Sequence, residues 1–391
     1  MWNNKKIPLV SMTVMALAIG STYVSALETQ VGETTVGLYG YARLNMAYNF
    51  DRDAGSANEG YFAEVAGSED EGDVGDQFQI SATQSRIGFR TSTPVEGSTL
   101  DTVIEGDFWS YNDDNTRFRL RHAYGSWNGI LAGQTWSNYN TFVAATPTLD
   151  FFSTAGSYGG YGTRLAQLRY TIGGFSIAAE DPKAQLAENI DGSLPEDASL
   201  PDNDDAVSSM PALSLRYEDS MGDFSYSIAG IARQLKYDTG SEKDTEMGYG
   251  AFAAGAYHAG PVTLRAIVNA SEGANSYLYL SGDYFNGADA YVDTNGKLQT
   301  LSGDSGALGL SYQISPQYSL NASHGYTDVK LGDPTVGGNA GRKNKNTFLN
   351  LMWTPNERLM YGIEYGYFET ELADGREEDA SRMMVAAQYS F

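Results

Sequence analysis

The sequence predicts an all-β fold, a transmembrane antiparallel up-and-down β-barrel of about 16 strands. Short segments alternate apolar and polar residues with a period of two, which is the pattern of a strand with one apolar face. The connections between these segments are short and long in strict alternation. The 391 residues include 44 glycines and 27 tyrosines, which suits tight turns and membrane-interface girdles.

Residues 1–26 stand apart from this pattern. Two lysines precede an uncharged apolar stretch, and Val24-Ser25-Ala26 forms a small-residue cleavage site. These features predict a secretory signal peptide that is cleaved after Ala26, leaving 27–391 as a single barrel domain. The alternative is a membrane anchor, but the apolar stretch is short for a bilayer, and no other stretch approaches the 18 apolar residues of a spanning helix.

The first alternating segment has Val36, Leu38, Leu44 and Met46 on one face, and the same pattern recurs along the chain. The predicted strands are 35–50, 77–92, 99–109, 117–127, 129–136, 164–172, 174–181, 210–218, 223–236, 245–258, 261–270, 305–314, 317–329, 344–354, 358–370 and 381–391. A change of parity near Gln84 indicates either a β-bulge or a wrong boundary of the segment 77–92. The connection 271–304 is long enough to hide a hairpin, since Ser276–Leu280 resembles a short strand.

The connections decide between a barrel and other all-β folds. Asn128-Gly129 and Gly173-Gly174 are typical two-residue hairpin turns, whereas 51–76 and 137–163 are long. Lipid cannot satisfy backbone hydrogen bonds, so a sheet in a membrane must close on itself. A soluble β-sandwich has no reason to place all short turns at one end, and no fixed repeat indicates a solenoid.

Composition excludes several functions. The chain has no cysteine, and its net charge of −24 argues against a nucleic-acid partner. We expect no cofactor, no metal site and no catalytic residues. A barrel hydrolase needs a positioned histidine, and the three histidines include His324, which lies on an apolar strand face beside Ser323. An adhesin or structural anchor remains an alternative that shares the fold, and conductance separates it from a channel.

Two sets of residues resemble known outer-membrane proteins. The terminal Gln388-Tyr389-Ser390-Phe391 resembles the C-terminal phenylalanine signal of bacterial outer-membrane proteins. The stretches Leu38–Asp51, Gln84–Pro94 and Phe118–Tyr139 resemble the DcaP-like trimeric porins. The resemblance implies a Gram-negative outer-membrane diffusion channel, a homotrimer of sixteen-stranded barrels whose third long loop folds inward. Outer-membrane lipids and lipopolysaccharide are the partners that such a location implies.

Strand parity predicts which charges face the lumen. With the apolar face outward, the inward arginines are Arg43, Arg86, Arg90, Arg117, Arg119, Arg121, Arg169, Arg216, Arg233 and Arg265. The row Arg117, Arg119 and Arg121 places guanidinium groups about 7 Å apart on one face. Guanidinium binds carboxylates, so we expect passive diffusion of small hydrophilic solutes with a preference for anions such as dicarboxylates. The alternative is that these arginines only pair with inward acids: Asp101, Glu105, Asp107 and Glu364.

The loop 137–163 is the predicted constriction. Its aromatic and glycine-rich sequence, including Tyr139, Phe151 and Tyr158, suits a loop packed inside a barrel. Asp150 is the only acid of this loop, and we expect it to oppose the arginine row. Three other stretches, 51–76, 180–205 and 369–379, are acidic. They form either a solvated face or a site where divalent ions bridge the loops to each other or to lipopolysaccharide phosphates.

Overall fold

The computed structural model describes residues 27–66, 75–109, 117–160, 164–184, 186–188, 206–281, 287–293, 295–330, 341–372 and 375–391. The predicted signal peptide, residues 1–26, lies outside the described residues. Most of the described chain is β-strand, because the period-2 pattern of the sequence persists from one segment to the next.

Sixteen strands form a closed antiparallel barrel, and the second of them is interrupted and carries two labels. In chain order they are β2 (Thr34–Asn49), β3 (Gln77–Ser81) with β4 (Arg86–Val95), β5 (Ser98–Asp107), β6 (Arg119–Trp127), β7 (Ile130–Trp136), β8 (Arg164–Ile172), β9 (Phe175–Glu180), β12 (Ala212–Met221), β13 (Phe224–Asp238), β14 (Lys243–Ala259), β15 (Val262–Glu272), β18 (Ser302–Ser315), β19 (Tyr318–Lys330), β20 (Gly341–Asn356), β21 (Leu359–Leu372) and β22 (Glu377–Ser390).

Each barrel strand pairs with its neighbours in the chain, and the last strand pairs with the first. Tyr41 of β2 lies opposite Ser390 of β22, and the ladder continues to the pair Asn49 and Arg382. The amide of Phe391 then donates to the carbonyl of Gly40, 3.0 Å away. The sheet therefore has no free barrel edge, as a membrane requires. The predicted sixteen-stranded up-and-down barrel is confirmed.

All seven turns at one end of the barrel contain two residues. At one of them Asn128 and Gly129 both have positive φ values, 50° and 80°. That is the type I′ geometry whose twist matches the flanking strands, and it explains the Asn-Gly pair. The other end carries eight longer connections, which we call L1 to L8 in chain order; those used below are L1 (50–76), L3 (137–163) and L6 (273–301). The chain thus segregates its short and long connections.

The interruption of the second strand is a β-bulge. Asn45 and Tyr41 of β2 are four residues apart, and they pair with Ser81 and Arg86, which are five residues apart. One extra residue therefore lies on the β3–β4 side, and it shifts the outward parity from even to odd numbers. The bulge predicted near Gln84 is confirmed.

The outer wall is apolar and the inner wall is polar. Outward side chains on all sides of the barrel are more than 40 % exposed: Ile80, Phe89, Ile104, Leu168, Ile177, Leu215, Ile228, Leu264, Leu308, Leu349, Ile363 and Val385. A soluble protein does not expose a continuous apolar belt of this size. None of the helices among the described residues has the length and apolarity to cross a bilayer.

Five further short strands and two short helices occur among the described residues. Two of the strands extend the barrel sheet: β1 (Leu27–Val31) pairs with β2, and β11 (Ala206–Val207) pairs with β13. The other three, β10 (Leu186–Glu188), β16 (Ala290–Val292) and β17 (Leu298–Thr300), form a separate sheet, and the helices are α1 (Phe62–Ala66) and the 3-10 helix Asn275–Tyr277. The long connection 271–304 does contain a hairpin, β16–β17. However, the segment that resembles a strand, Ser276–Leu280, is not a strand: it begins in the 3-10 helix and continues as a turn, and its residues 276–279 are buried.

Candidate functional site

The described part of L3, residues 137–160, crosses the lumen in contact with the inner wall. Near its start the amide of Asn138 donates to Glu180 Oε1 of β9, 3.0 Å away. Tyr139 then reaches the far wall, where its hydroxyl donates to Asn269 Oδ1 of β15 at 2.7 Å and its ring packs edge-on against Phe252 of β14. Tyr139 is fully buried by these contacts.

The second half of L3 is held by asparagine side chains of β20. The amide of Ala155 donates to Asn346 Oδ1 at 2.9 Å, and Asn346 Nδ2 donates to the carbonyl of Ser153 at 3.0 Å. Asn350 Nδ2 donates to the carbonyl of Pro147 at 2.8 Å. A side-chain amide both donates and accepts, so it can satisfy an irregular backbone without adding charge.

Two wall glycines allow L3 to lie against the strands. A Cβ added to Gly309 of β18 would lie 1.8 Å from Thr146 Oγ1, and one added to Gly325 of β19 would lie 2.0 Å from the carbonyl oxygen of Ala155. Real Cβ atoms do not approach so closely, so any side chain at these positions would displace the loop.

The tip of L3 is bound by charged groups. Glu364 of β21 accepts the amides of Leu149 and Asp150 with its two carboxylate oxygens, both at 2.8 Å. Arg43 of β2 donates to the carbonyl of Leu149 at 2.6 Å. The Asp150 carboxylate accepts the amide of Gly60 in L1 at 2.6 Å. Burial raises the pKa of Asp150 to about 6.

L1 covers the tip of L3 from the other side. The amide of Phe151 donates to the carbonyl of Asn58 at 2.9 Å, and Glu59 Oε2 accepts the indole of Trp109 at 2.7 Å. Burial raises the pKa of Glu59 to about 7. Arg382 of β22 donates to the carbonyl of Ser56. L1, L3 and the wall from β14 to β22 therefore form one packed unit.

The wall from β4 to β8 has a different chemistry. Arg119 binds Asp107 through Nε and Nη2 at 2.9 and 2.8 Å. Arg121 binds Glu105 at 2.9 Å and Asp107 at 2.6 Å, and Arg86 Nη1 lies 3.3 Å from Glu105. Asp107 and Glu105 are buried, whereas the Arg119 side chain is 32 % exposed.

Aromatic rings pack against these guanidinium groups. Arg119 Cζ lies 4.3 Å from the centroid of the Trp109 ring, and Arg121 Cζ lies 5.5 Å from that of Phe151. Trp109 and Phe151 stack with centroids 6.0 Å apart. A cation held over an aromatic face keeps its orientation without losing its charge. Phe151 is thus the point where L3 meets the arginines.

A fourth arginine completes this group. Arg164 of β8 lies with Cζ 3.7 Å from the Trp136 ring centroid, and Trp136 is its cross-strand partner. We call Arg86, Arg119, Arg121 and Arg164, with Glu105 and Asp107, the arginine cluster. It contains four cations and two anions, so it carries a net charge of +2.

A β-bulge shapes the arginine cluster. Glu105 and Gly106 of β5 are adjacent, and their partners His122 and Leu120 are two residues apart, so Arg121 is the extra residue. Consequently Arg121 and His122 both face inward, although they are consecutive. His122 Nδ1 lies 2.9 Å from Thr135 Oγ1.

The comparisons with known proteins bear on what this lumen is for. A model of the DcaP outer membrane protein family matches residues 15–391.

This chain belongs to the DcaP outer membrane protein family.

Solved structures share the fold. The outer membrane channel DcaP of Acinetobacter baumannii is 24 % identical and covers 94 % of this chain and 100 % of its own, with a TM-score of 0.76. An anion-selective porin from Comamonas acidovorans is 14 % identical and covers 92 % of this chain and 100 % of its own, with a TM-score of 0.55. A trimer form of OmpT from Vibrio cholerae is 13 % identical with the same coverages and TM-score. No curated protein sequence matches the chain.

As a DcaP family member, the chain is a bacterial outer-membrane channel of the porin class and not an enzyme. The turn end of the barrel is therefore periplasmic, and the loop end is extracellular. No group of three or more histidine, aspartate or glutamate side chains able to hold a metal occurs in the described part of the chain. His324 is exposed on the outer wall of this DcaP family member, with Nδ1 2.9 Å from Thr347 Oγ1.

Three further predicted arginines of this DcaP family member have neutral hydrogen-bond partners. Arg169 donates to the carbonyl of Trp136 at 2.6 Å, Arg216 to the carbonyl of Asn140, and Arg265 to Ser311 Oγ at 2.8 Å. They lie on β8, β12 and β15, on the periplasmic side of L3.

The remaining predicted arginines have other surroundings. Arg90 pairs with Glu28 of β1 near the periplasmic end, and Arg117 precedes β6 and is exposed. Arg233 is fully buried beneath L6. Asp150 contacts L1 rather than the arginine cluster, and Tyr158 packs against Tyr279 of L6 with ring centroids 4.4 Å apart.

Sequence reasoning missed Arg164, L1 and L6. Arg164 has the parity of the outward residues Ala166 and Leu168, so alternation alone assigns it to the lipid face. The signal available for Arg164 in the sequence is Trp136, which pairs with it across β7 and β8. Arg382 was missed although it has the inward parity of Met384 and Ala386.

Proposed function

We propose that this chain is a homotrimeric diffusion channel that favours small anions, such as dicarboxylates, over cations of equal size. The single observation that carries the proposal is the arginine cluster, whose net charge of +2 adjoins Phe151 at the tip of L3. Selectivity in a wide barrel depends on the charges and the width of its narrowest zone. The anion-selective porin from Comamonas acidovorans shares the fold of this chain and supports such a channel on this scaffold.

The pairing within the arginine cluster does not cancel this charge. Asp107 and Glu105 are buried behind the guanidinium groups, and Arg119 is the partly exposed partner. A solute that passes the cluster therefore meets the cations before the acids. Arg169, Arg216 and Arg265, with their neutral hydrogen-bond partners, continue the positive wall toward the periplasm.

The net charge of the whole chain is negative, but the acidic residues act at the extracellular mouth of the channel. The acidic residues concentrate in the long loops, and exposed charges farther than about 8 Å are largely screened at physiological salt. The constriction therefore decides selectivity, while the acidic loops are available to bind divalent ions next to lipopolysaccharide.

Solute flux tests the proposal. Liposomes that contain the purified protein are placed in isosmotic succinate or in butane-1,4-diamine, two four-carbon solutes of similar size and opposite charge. We expect faster entry of succinate, and faster entry of the diamine would contradict the proposal. Absence of flux for both would favour the adhesin or anchor. Mass measurement in detergent tests the trimer separately.

A further inference from the structure

L6 enters the barrel as a second inward loop. It joins β15 to β18, and its described residues are 273–281, 287–293 and 295–301. Within it Tyr277 and Leu278 are almost completely buried. The carbonyl of Leu280 accepts hydrogen bonds from Thr327 Oγ1 of β19 at 3.2 Å and from Asn344 Nδ2 of β20 at 3.1 Å. L6 is therefore anchored on the same wall as L3.

A buried ion pair joins L6 to strand β13 of the barrel wall. Arg233 of β13 donates to Asp289 Oδ2 at 3.1 Å, and both side chains are 0 % exposed. Arg233 also donates to Ser276 Oγ at 2.8 Å, and its Cζ lies 5.1 Å from the centroid of the Tyr277 ring. Asp289 Oδ1 accepts the amide of Ser276 at 2.9 Å. One carboxylate thus organises both the wall arginine and the 3-10 turn.

L6 in turn holds L3. The amide of Gly156 donates to the carbonyl of Tyr279 at 2.8 Å, and the Tyr279 hydroxyl donates to the carbonyl of Phe152 at 2.7 Å. Tyr139 and Tyr277 pack edge-on with centroids 5.9 Å apart. L6 therefore supports L3 through backbone and aromatic contacts along residues 139–156.

We propose that the Arg233–Asp289 pair positions the constriction. The ion pair fixes L6 to β13, and L6 holds L3 in place. Burial of two charges is tolerated only while each compensates the other. Without the carboxylate, the guanidinium of Arg233 keeps only neutral partners, Ser276 of the 3-10 turn and the carbonyl of Lys183, and it regains water when the 3-10 turn moves out. L3 then loses the support of Tyr279, and the lumen gains a solvated arginine. Asp289 is a positioning residue in this scheme, and the scheme rests on the proposed open channel.

The absence of cysteine from the chain allows a direct test, since a single introduced thiol reports on one position. Ser305 of β18 is 1 % exposed, and its inward neighbours Gly303 and Ala307 are covered by L6 and L3. The variant Ser305→Cys therefore reports whether that cover is in place, through its rate of reaction with a water-soluble methanethiosulfonate. Ser126→Cys, on the inner face of β6 across the barrel, is the matched control, because the described residues of L3 and L6 are not bonded to it.

Asp289→Asn should accelerate modification of the thiol at position 305 at least tenfold and leave the rate at position 126 within twofold. The same variant should show larger fluctuations of the open-channel current at an unchanged melting temperature of the barrel strands. The double variant Arg233→Gln with Asp289→Asn, a neutral pair, should restore slow modification. An unchanged rate at position 305 in Asp289→Asn would overturn the proposal, and so would failure of the neutral pair to restore it.

A second variant keeps the test decisive if Asp289→Asn does not insert into membranes. Tyr279→Phe removes only the hydroxyl that donates to L3, and it should accelerate modification of the thiol at position 305 by about threefold. Equal rates in Tyr279→Phe and the parent would overturn the support of L3 by L6. The proposed function is tested separately. Conductance of the parent protein reports whether the channel is open, and its reversal potential reports the anion preference.

Discussion

The two sides of the lumen are built from different residues for different tasks. The wall from β14 to β22 binds L3 mainly through neutral groups, such as Asn269, Asn346 and Asn350. The wall from β4 to β8 carries the arginine cluster. Neutral amides satisfy an irregular loop without creating a field, whereas the opposite wall carries cations, of which Arg119 is 32 % exposed. The comparison teaches that loop anchoring and ion selectivity are separable in this chain.

Glu364 is the charged exception on the wall that anchors L3, and replacing it should have the largest effect on the local stability of the loop. Glu364→Ala leaves the amides of Leu149 and Asp150 without their acceptor. Unsatisfied buried groups cost about 1–3 kcal/mol each, so we expect a local loss of about 3 kcal/mol. Hydrogen exchange of the L3 tip should become roughly 100-fold faster. Glu369→Ala is the control on the same strand, where an exposed pair with Lys345 contributes about 0–1 kcal/mol. Equal exchange in the two variants would show that Glu364 does not anchor the loop.

Reversing the charge of Arg119, on the wall from β4 to β8, should change ion selectivity and leave L3 in place. Arg119→Glu alters the charge of the arginine cluster by two units, and a unit charge at about 4 Å contributes about 1 kcal/mol in water. We expect the anion-to-cation permeability ratio to fall roughly tenfold, as measured by reversal potentials. Arg358→Glu makes the same change at an exposed periplasmic turn and should alter the ratio by less than twofold. If both variants behave alike, the arginine cluster is not the selective zone.

Tyr139→Phe separates loop anchoring from ion selectivity, because it alters only a contact between L3 and the wall that anchors it. It removes the hydrogen bond to Asn269 and keeps the ring against Phe252. One hydrogen bond contributes about 1 kcal/mol, so hydrogen exchange at the start of L3 should accelerate about fivefold. The permeability ratio should not change. A shift in selectivity would mean that anchoring and selectivity are coupled after all.

The pH dependence should be the smallest effect. Burial raises the pKa of Glu59 to about 7 and that of Asp150 to about 6. A raised carboxyl pKa means that the folded protein favours the protonated form, so the L1–L3 contact is most stable below about pH 4 and loses stability as pH rises toward 7. Between pH 8 and pH 5 the lumen loses two negative charges, and the anion preference should rise about twofold. Glu59→Gln should reduce that rise, and an anion preference that falls on acidification would contradict this account.

The strands could be predicted from the sequence because lipid outside and water inside impose alternation on every segment. Even the bulge near Gln84 is visible as a break of parity. Parity also indicates the inward direction of Arg119, Arg121 and Arg169. It fails at strand ends and inside loops, where no period constrains the chain, and this is why alternation alone does not find Arg164 or the buried turn of L6. Arg233 shows the same limit, since parity gives its direction but not the loop that covers it.

The reversal potential of the unmodified protein is the most direct test of the central claim. The protein is reconstituted in a planar bilayer with a tenfold gradient of potassium chloride at pH 7. If the arginine cluster dominates the narrow zone, the zero-current voltage shifts toward the equilibrium potential of chloride. A shift toward the equilibrium potential of potassium would contradict the account and assign control to the acidic loops.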